Sequence, residues 1–279
     1  IEMADWENEE FEGGMLESDP TEVLNRKVTP VFFLIDVSGS MSGSKIGTVN
    51  SAMKEIMKDL SELDDASFEL RYAVLSFGSD CVWETGEKGL VPCDGSWKQL
   101  SANGLTYFNT ACKMLKEKLS GKHGFFKFAS GKTITPPVLI LLTDGYANDG
   151  DENGLDGVEV LKANHYFKSS FKAAIAIGEN ANMQLCENFT CKKADVEKAA
   201  VWTAYNAKAL RAILDVVVRS SVAVSSSNTS DVNGTMKNPE ECEVNQGGLI
   251  DEVENQFKGN EDLTESANCA ENKDITWDD

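Results

Sequence analysis

Val31-Phe32-Phe33-Leu34-Ile35, followed at once by Asp36-Val37-Ser38-Gly39-Ser40-Met41, is the stretch whose reading decides the fold. Its first half has no charge and no helical spacing. It reads as a strand buried on both faces, the pattern of a parallel sheet. The second half places one carboxylate and two hydroxyls, on alternate residues, at the strand's C-terminal tip. Ligands of open α/β sheets bind at that edge. Carboxylate, hydroxyl and water oxygens suit Mg²⁺ or Mn²⁺.

Two further pieces join it. Asn103-Gly104-Leu105-Thr106 stands before an amphipathic segment and offers another hydroxyl. Val138-Leu139-Ile140-Leu141-Leu142-Thr143-Asp144-Gly145 is a second apolar strand that ends in a carboxylate. Asp36, Ser38, Ser40, Thr106 and Asp144 are therefore the candidate metal ligands. Mg²⁺ takes six oxygens and retains water, so one position stays open. Each residue alone could be a helix or turn cap. That explanation does not account for five such residues gathered at strand ends.

Around these pieces strands alternate with helices. The expected strands are Val28–Val37, Ser67–Gly78, Val138–Leu142, Phe171–Ile177 and Lys198–Thr203, with a short hairpin formed by Cys81–Glu84 and Gly89–Val91. A helix capped by Ser44 and running from Lys45 to Leu63 is predicted from Ile46, Val49, Met53, Ile56, Leu60 and Leu63, which recur at three and four residues. Further helices are predicted over 108–119, 157–167, 183–189 and 207–222. Phe125, Phe126 and Phe128, in a lysine-bearing loop, read as a lid or contact surface. The alternation implies an α/β fold: a doubly wound, mostly parallel sheet flanked by helices.

The 279 residues carry a net charge of −20. Residues 1–25 hold nine acids and no base, and residues 231–279 hold fourteen acids against three lysines. The remaining 23 acids and 23 bases balance. The expected organisation is an acidic N-terminal arm (1–25), one domain (26–225) and an acidic C-terminal tail (226–279) with a fleeting helix at 249–257. Without a basic excess, neither nucleic acid nor an anionic membrane is an expected partner. No apolar run approaches the roughly 20 residues that span a bilayer, and no signal-peptide pattern opens the chain, so a cytoplasmic location is expected. Seven cysteines without a CxxC pair read as free thiols, although Cys81 and Cys93 flank the hairpin and could pair under oxidation. Asp149, Asp151, Asn153 and Gly154 match the opening of a Ca²⁺ loop, but Val160 stands where the closing glutamate belongs, so the segment reads as a solvated acidic loop. Neither His123 nor His165 has a nucleophile beside it, and neither GxSxG nor a P-loop is present. An enzyme is not expected.

The order D-x-S-x-S, then Thr, then Asp resembles the metal-ion-dependent adhesion site of von Willebrand factor A domains, over roughly Val28 to Ser225. VFFLIDVSGSM (31–41), LILLTDGYANDG (139–150) and AIAIGENAN (174–182) are most similar to the bacterial tellurite-resistance TerY-like group. The resemblance implies a Rossmann-like fold and a site in which a partner's acidic residue completes the metal's coordination. It also implies a non-enzymatic adaptor found with a serine/threonine kinase and a 2C-type phosphatase in stress response. Alternatives are a subunit of an ATPase-driven metal-chelatase-type complex and an extracellular adhesin. Thr264 and Thr276, set among acids, fit phosphoregulation weakly. A tail carboxylate could also occupy the chain's own site.

Overall fold

The computed structural model describes residues 27–63, 68–127, 133–191, 198–227 and 246–258. Phe128, Thr264, Thr276 and the acidic arm lie outside them. The central strand β1 (Lys27–Asp36) pairs in parallel with β2 (Phe68–Phe77) on one side and with β5 (Val138–Thr143) on the other. Beyond β5 lie β6 (Phe171–Ile177) and β7 (Val201–Ala204), both parallel. With β3 (Cys81–Trp83) along the outer edge of β2, the strand order is β3-β2-β1-β5-β6-β7. After β1 the chain turns one way to β2 and later returns to β5 on the other side. This reversal opens a crevice at the C-terminal tips of β1 and β5.

Both faces of the sheet are covered, as its apolar strands require. Val31, Phe33 and Ile35 pack on one side with α1 (Ser44–Leu63) and α6 (Ala207–Ser227). Phe32 and Leu34 point the other way, into α2 (Phe108–Lys118), α3 (Leu155–Lys162) and α5 (Met183–Thr190). This two-residue alternation makes β1 the wall shared by two cores. α1 begins at Ser44 itself, and the Gly43 carbonyl accepts the Gly47 N–H. Ser44 is thus the first helical residue rather than the cap. No helix among the described residues is long and apolar enough to cross a membrane.

The structure departs from the sequence reading in other places as well. β3 (Cys81–Trp83) and β4 (Val91–Pro92) do not pair with each other as a hairpin; both lie antiparallel along the edge of β2, at different levels. Cys81 packs with the α2-side core and Cys93 with the α1-side core, so the sheet separates the two thiols. The segment expected as one helix over 157–167 is two, because Asn164 ends α3 and accepts the Phe167 N–H to start α4 (His165–Lys168). Phe125 and Phe126 are buried, not a lid: Phe125 stacks near Phe32 and Trp83, and Phe126 meets Tyr166.

A further departure is α7 (Gln246–Lys258), which is seated rather than fleeting. Leu249 and Val253 are fully buried in the α1–α6 core. Lys198 pairs with Glu254, and the Trp202 and Phe257 rings meet edge to face. Leu249→Ala is expected to lower stability by about 2–4 kcal/mol in chemical denaturation, the cost of emptying a buried leucine site. A change within about 0.5 kcal/mol, typical of exposed positions, would show that the helix is not docked.

Candidate functional site

β1 delivers Asp36 to the crevice and β5 delivers Asp144, one residue beyond Thr143. Asp36 is fully buried. Its Oδ1 accepts the Ser38 N–H at 2.8 Å, and its Oδ2 accepts the Thr143 hydroxyl at 2.6 Å. Burial still dominates and pushes the carboxyl up to about 6, while the bonds from Thr143 and Ser38 pull it down and Asp144 raises it further. After β1 the chain makes one 3₁₀ turn, Gly39–Met41. Met41 is buried in the α1-side core, which anchors the turn; Ser38 is buried beside Asp36 and Ser40 is exposed.

The hydroxyls form a short relay. Ser38 Oγ and Ser40 Oγ are 3.0 Å apart, and Ser40 Oγ donates to Asp144 Oδ1 at 2.7 Å. Lys45, from the first turn of α1, places Nζ 2.5 Å from Asp144 Oδ2. Thr106 enters from the other side, on the loop before α2. All five residues expected from the sequence are therefore gathered in one crevice.

Gly145 shows how tightly they converge. A methyl group on it would lie 3.2 Å from Thr106 Oγ1, 3.4 Å from Asp36 Oδ2 and 3.8 Å from Ser40 Oγ. The cradle of oxygens exists because that methyl is missing. Two carboxylates and three hydroxyls are a hard, oxygen-only donor set. Among the described residues no three His, Cys, Asp or Glu side chains cluster as a metal site. The crevice thus fits an oxygen-seeking divalent cation such as Mg²⁺ or Mn²⁺, not a zinc site built from thiolate and imidazole.

Several positioning residues escaped the sequence reading. Asn148 clamps the Thr106 loop at two points: its Oδ1 accepts the Thr106 N–H and its own N–H donates to the Thr106 carbonyl, both at 2.8 Å. Asp149 caps α2 from a distance. It accepts the Asn109 and Thr110 N–H groups and the Thr110 hydroxyl, whereas Tyr107, at the cap position, makes no side-chain cap. Asp151 Oδ1 accepts the Asn153 and Leu155 N–H groups, and Asp156 accepts the Asp151 N–H. The stretch read as a solvated acidic loop is a capping loop. Its acids hold backbone donors and do not converge as a Ca²⁺ site. On the far side, the Gly39 N–H donates to the Gly104 carbonyl at 2.9 Å. Gly104 has φ +77°, and a methyl there would strike Ser79 Oγ at 2.3 Å. The serine, threonine and aspartate loops are thus stitched together before any ion is considered.

His123 follows α2, and His165 opens α4 ahead of β6; both lie toward the opposite edge of the sheet. Burial pushes the Cys81 and Cys186 thiols up to about 12 and raises Cys112 as well, which disfavours the reactive thiolate at the half-buried Cys81 and the buried Cys112 and Cys186.

Gly145→Ala is expected to keep the fold and reduce Mn²⁺ affinity at least about tenfold in calorimetric titration, because its methyl occupies the cradle. Affinity is also expected to fall with acidity. Asp36 must be ionised to bind a cation, and its carboxyl sits near 6; below that pH a proton competes, up to about tenfold per pH unit. Affinity that stays constant between pH 7 and 5 would separate Asp36 from metal binding.

The family model described as von Willebrand factor type A domain matches residues 31–216. Mouse inter-alpha-trypsin inhibitor heavy chain 4 is 30% identical over 123 residues, 44% of this chain and 13% of that protein. The chain therefore matches only a small part of that relative's length. The pilus adhesin SpaC of Lactobacillus rhamnosus GG superposes with a TM-score of 0.51 at 15% identity, over 71% of this chain and 30% of that one. Proximal thread matrix protein 1 of mussel byssus, in a structure with a zinc-occupied MIDAS motif, gives a TM-score of 0.48 at 17% identity, over 73% and 46% of the two chains. With two thirds of its length matched by the family model, the chain belongs to the von Willebrand factor type A domain family.

Proposed function

We propose that this chain is a non-enzymatic, metal-dependent protein-interaction module, with Asp36, Ser38, Ser40, Thr106 and Asp144 holding Mg²⁺ or Mn²⁺. The observation that carries this reading is the Gly145 cradle, where oxygens of the Asp36–Ser40 turn and of the Thr106 loop converge on a space that one methyl would fill. A divalent cation bound there would supply a Lewis-acid centre with an open position for a partner's carboxylate oxygen. The chain's own residues supply the rest. Ser38, Thr106 and Ser40 offer neutral oxygens, which add donors without adding to the two negative charges of Asp36 and Asp144. Thr143 and the Ser38 N–H keep Asp36 oriented. Leu105 and Tyr146, 49% and 51% exposed beside Thr106 and Gly145, give the rim apolar contact area next to the open position.

The finer reading is that of a TerY-like cytoplasmic adaptor in a stress-response or phosphorylation-linked system. Its proposed partners are a serine/threonine kinase and a 2C-type phosphatase. Support comes from the residues of 31–41, 139–150 and 174–182, which form the two ligand-bearing strand ends and the β6–α5 turn. The alternative, a subunit of a metal-chelatase-type complex, differs in requiring an ATPase partner.

A pull-down from native lysate with the full chain, in Mg²⁺ or in EDTA and beside Asp144→Ala, tests the proposal. The expected result is a protein partner lost both in EDTA and in the variant. A partner retained in both would mean that recognition does not pass through the metal. Recovery of an ATPase in place of a kinase or phosphatase would favour the chelatase-type reading.

A further inference from the structure

One charged side chain at the site has no place in the ligand set. Lys45 is the second residue of α1, and its ammonium reaches back over the 3₁₀ turn to Asp144. The Asp144 side chain is 1% exposed and that of Lys45 24%. The pair is thus largely withdrawn from solvent, where charge–charge interactions are stronger than on the surface. Asp144 Oδ1 is taken by Ser40 and Oδ2 by Lys45. Both oxygens of this carboxylate therefore have a donor from the chain itself.

We infer that Lys45 is an internal counter-charge that sets both the metal affinity and the ligand preference of the crevice; this rests on the metal-bridged reading proposed above. The argument is electrostatic. Asp36 and Asp144 carry two negative charges, and Lys45 carries one positive. Without a cation the crevice has one net negative charge and already has its own ammonium on Asp144. A divalent cation must compete with that ammonium, so Lys45 weakens cation binding. Once a divalent cation is held, the same lysine leaves the crevice with one net positive charge. A single carboxylate then brings it to neutrality. Without Lys45 the loaded crevice would already be neutral, and an incoming carboxylate would make it negative. Lys45 therefore trades metal affinity for acid affinity. A neutral donor such as a hydroxyl or amide gains nothing from this arrangement, so the lysine also selects the chemical class of the partner group.

The two effects have opposite signs, which separates this role from simple structural support. Mn²⁺ titrated calorimetrically into the metal-free full chain is expected to bind Lys45→Met at least about tenfold more tightly than the unaltered chain. Acetate is the carboxylate probe, followed by the paramagnetic relaxation of its methyl protons at the Mn²⁺-loaded protein. Acetate affinity is expected to fall at least about threefold in Lys45→Met and to hold in Lys45→Arg. Lys45→Gln, the second neutral variant, is expected to match Lys45→Met and serves if the methionine variant does not fold. Mn²⁺ binding that is unchanged or weaker in a folded neutral variant would overturn the inference, as would acetate binding that is indifferent to the charge. Absence of acetate relaxation in the unaltered, Mn²⁺-loaded chain would instead overturn the carboxylate-bridge reading, while the Mn²⁺ titration would still decide whether Lys45 opposes the cation.

Discussion

The constraint on which this structure turns is a carboxylate buried at the tip of the central strand. Asp36 ends a run of side chains that are dry on both faces of the sheet, and it is as buried as they are. An ion placed there without partners would cost more than the fold could tolerate. Two donors meet it: the Ser38 N–H, available because the chain turns sharply after the strand, and the Thr143 hydroxyl, brought alongside because β5 pairs with β1. Sheet pairing and site chemistry are therefore one arrangement. Displacing β5 along β1 would remove a hydroxyl from Asp36 and carry Asp144 away from Ser40 together.

From this centre outward the stitching is largely polar and local. Asn148 fixes the Thr106 backbone with its side chain and its own N–H, Asp149 fixes the start of α2, and Gly104 receives Gly39. Loops that come from distant parts of the chain thereby share a single rigid frame. Preorganisation of this kind matters for a cation such as Mg²⁺, which demands a near-ideal arrangement of oxygens.

Much of this was legible because it rests on short-range signals. Val31–Ile35 and Val138–Leu142 are apolar on consecutive residues, and only strands covered on both faces look that way. Phe171–Ile177 is legible to its observed ends because it is apolar apart from Lys172 and stops at Gly178. The five oxygen-bearing residues were readable because D-x-S-x-S and the two strand tips are local patterns. What failed to show was everything decided by a partner distant in sequence. The pairing of β3 and β4 with β2 depends on the twist and length of that edge, not on the turn between them. Asn164, which divides α3 from α4, looks like any helical-surface asparagine until its side chain is seen at Phe167 N. Asn148 and Asp149 read as acidic-loop composition because their acceptors serve N–H groups about forty residues earlier. Lys45 was invisible as a site residue for a related reason: its partner Asp144 lies 99 positions away. α7 has apolar residues at helical spacing but sits in an acidic stretch, and only its contacts with the α1–α6 core explain why it is ordered.

The two short strands along β2 have a consequence for how the molecule avoids its own kind. A ten-residue outer strand with free backbone donors and acceptors is a template for adding another chain. β3 and β4 cover that template in two separate pieces, three and two residues long, and the second piece ends in Pro92, which has no N–H to offer. At the opposite margin β7 is only four residues long. Neither border presents a long flat row of unpaired amides. Among the described residues, strand addition, one of the common routes to self-assembly and to peptide capture, therefore finds only short or interrupted edges at both margins of the sheet.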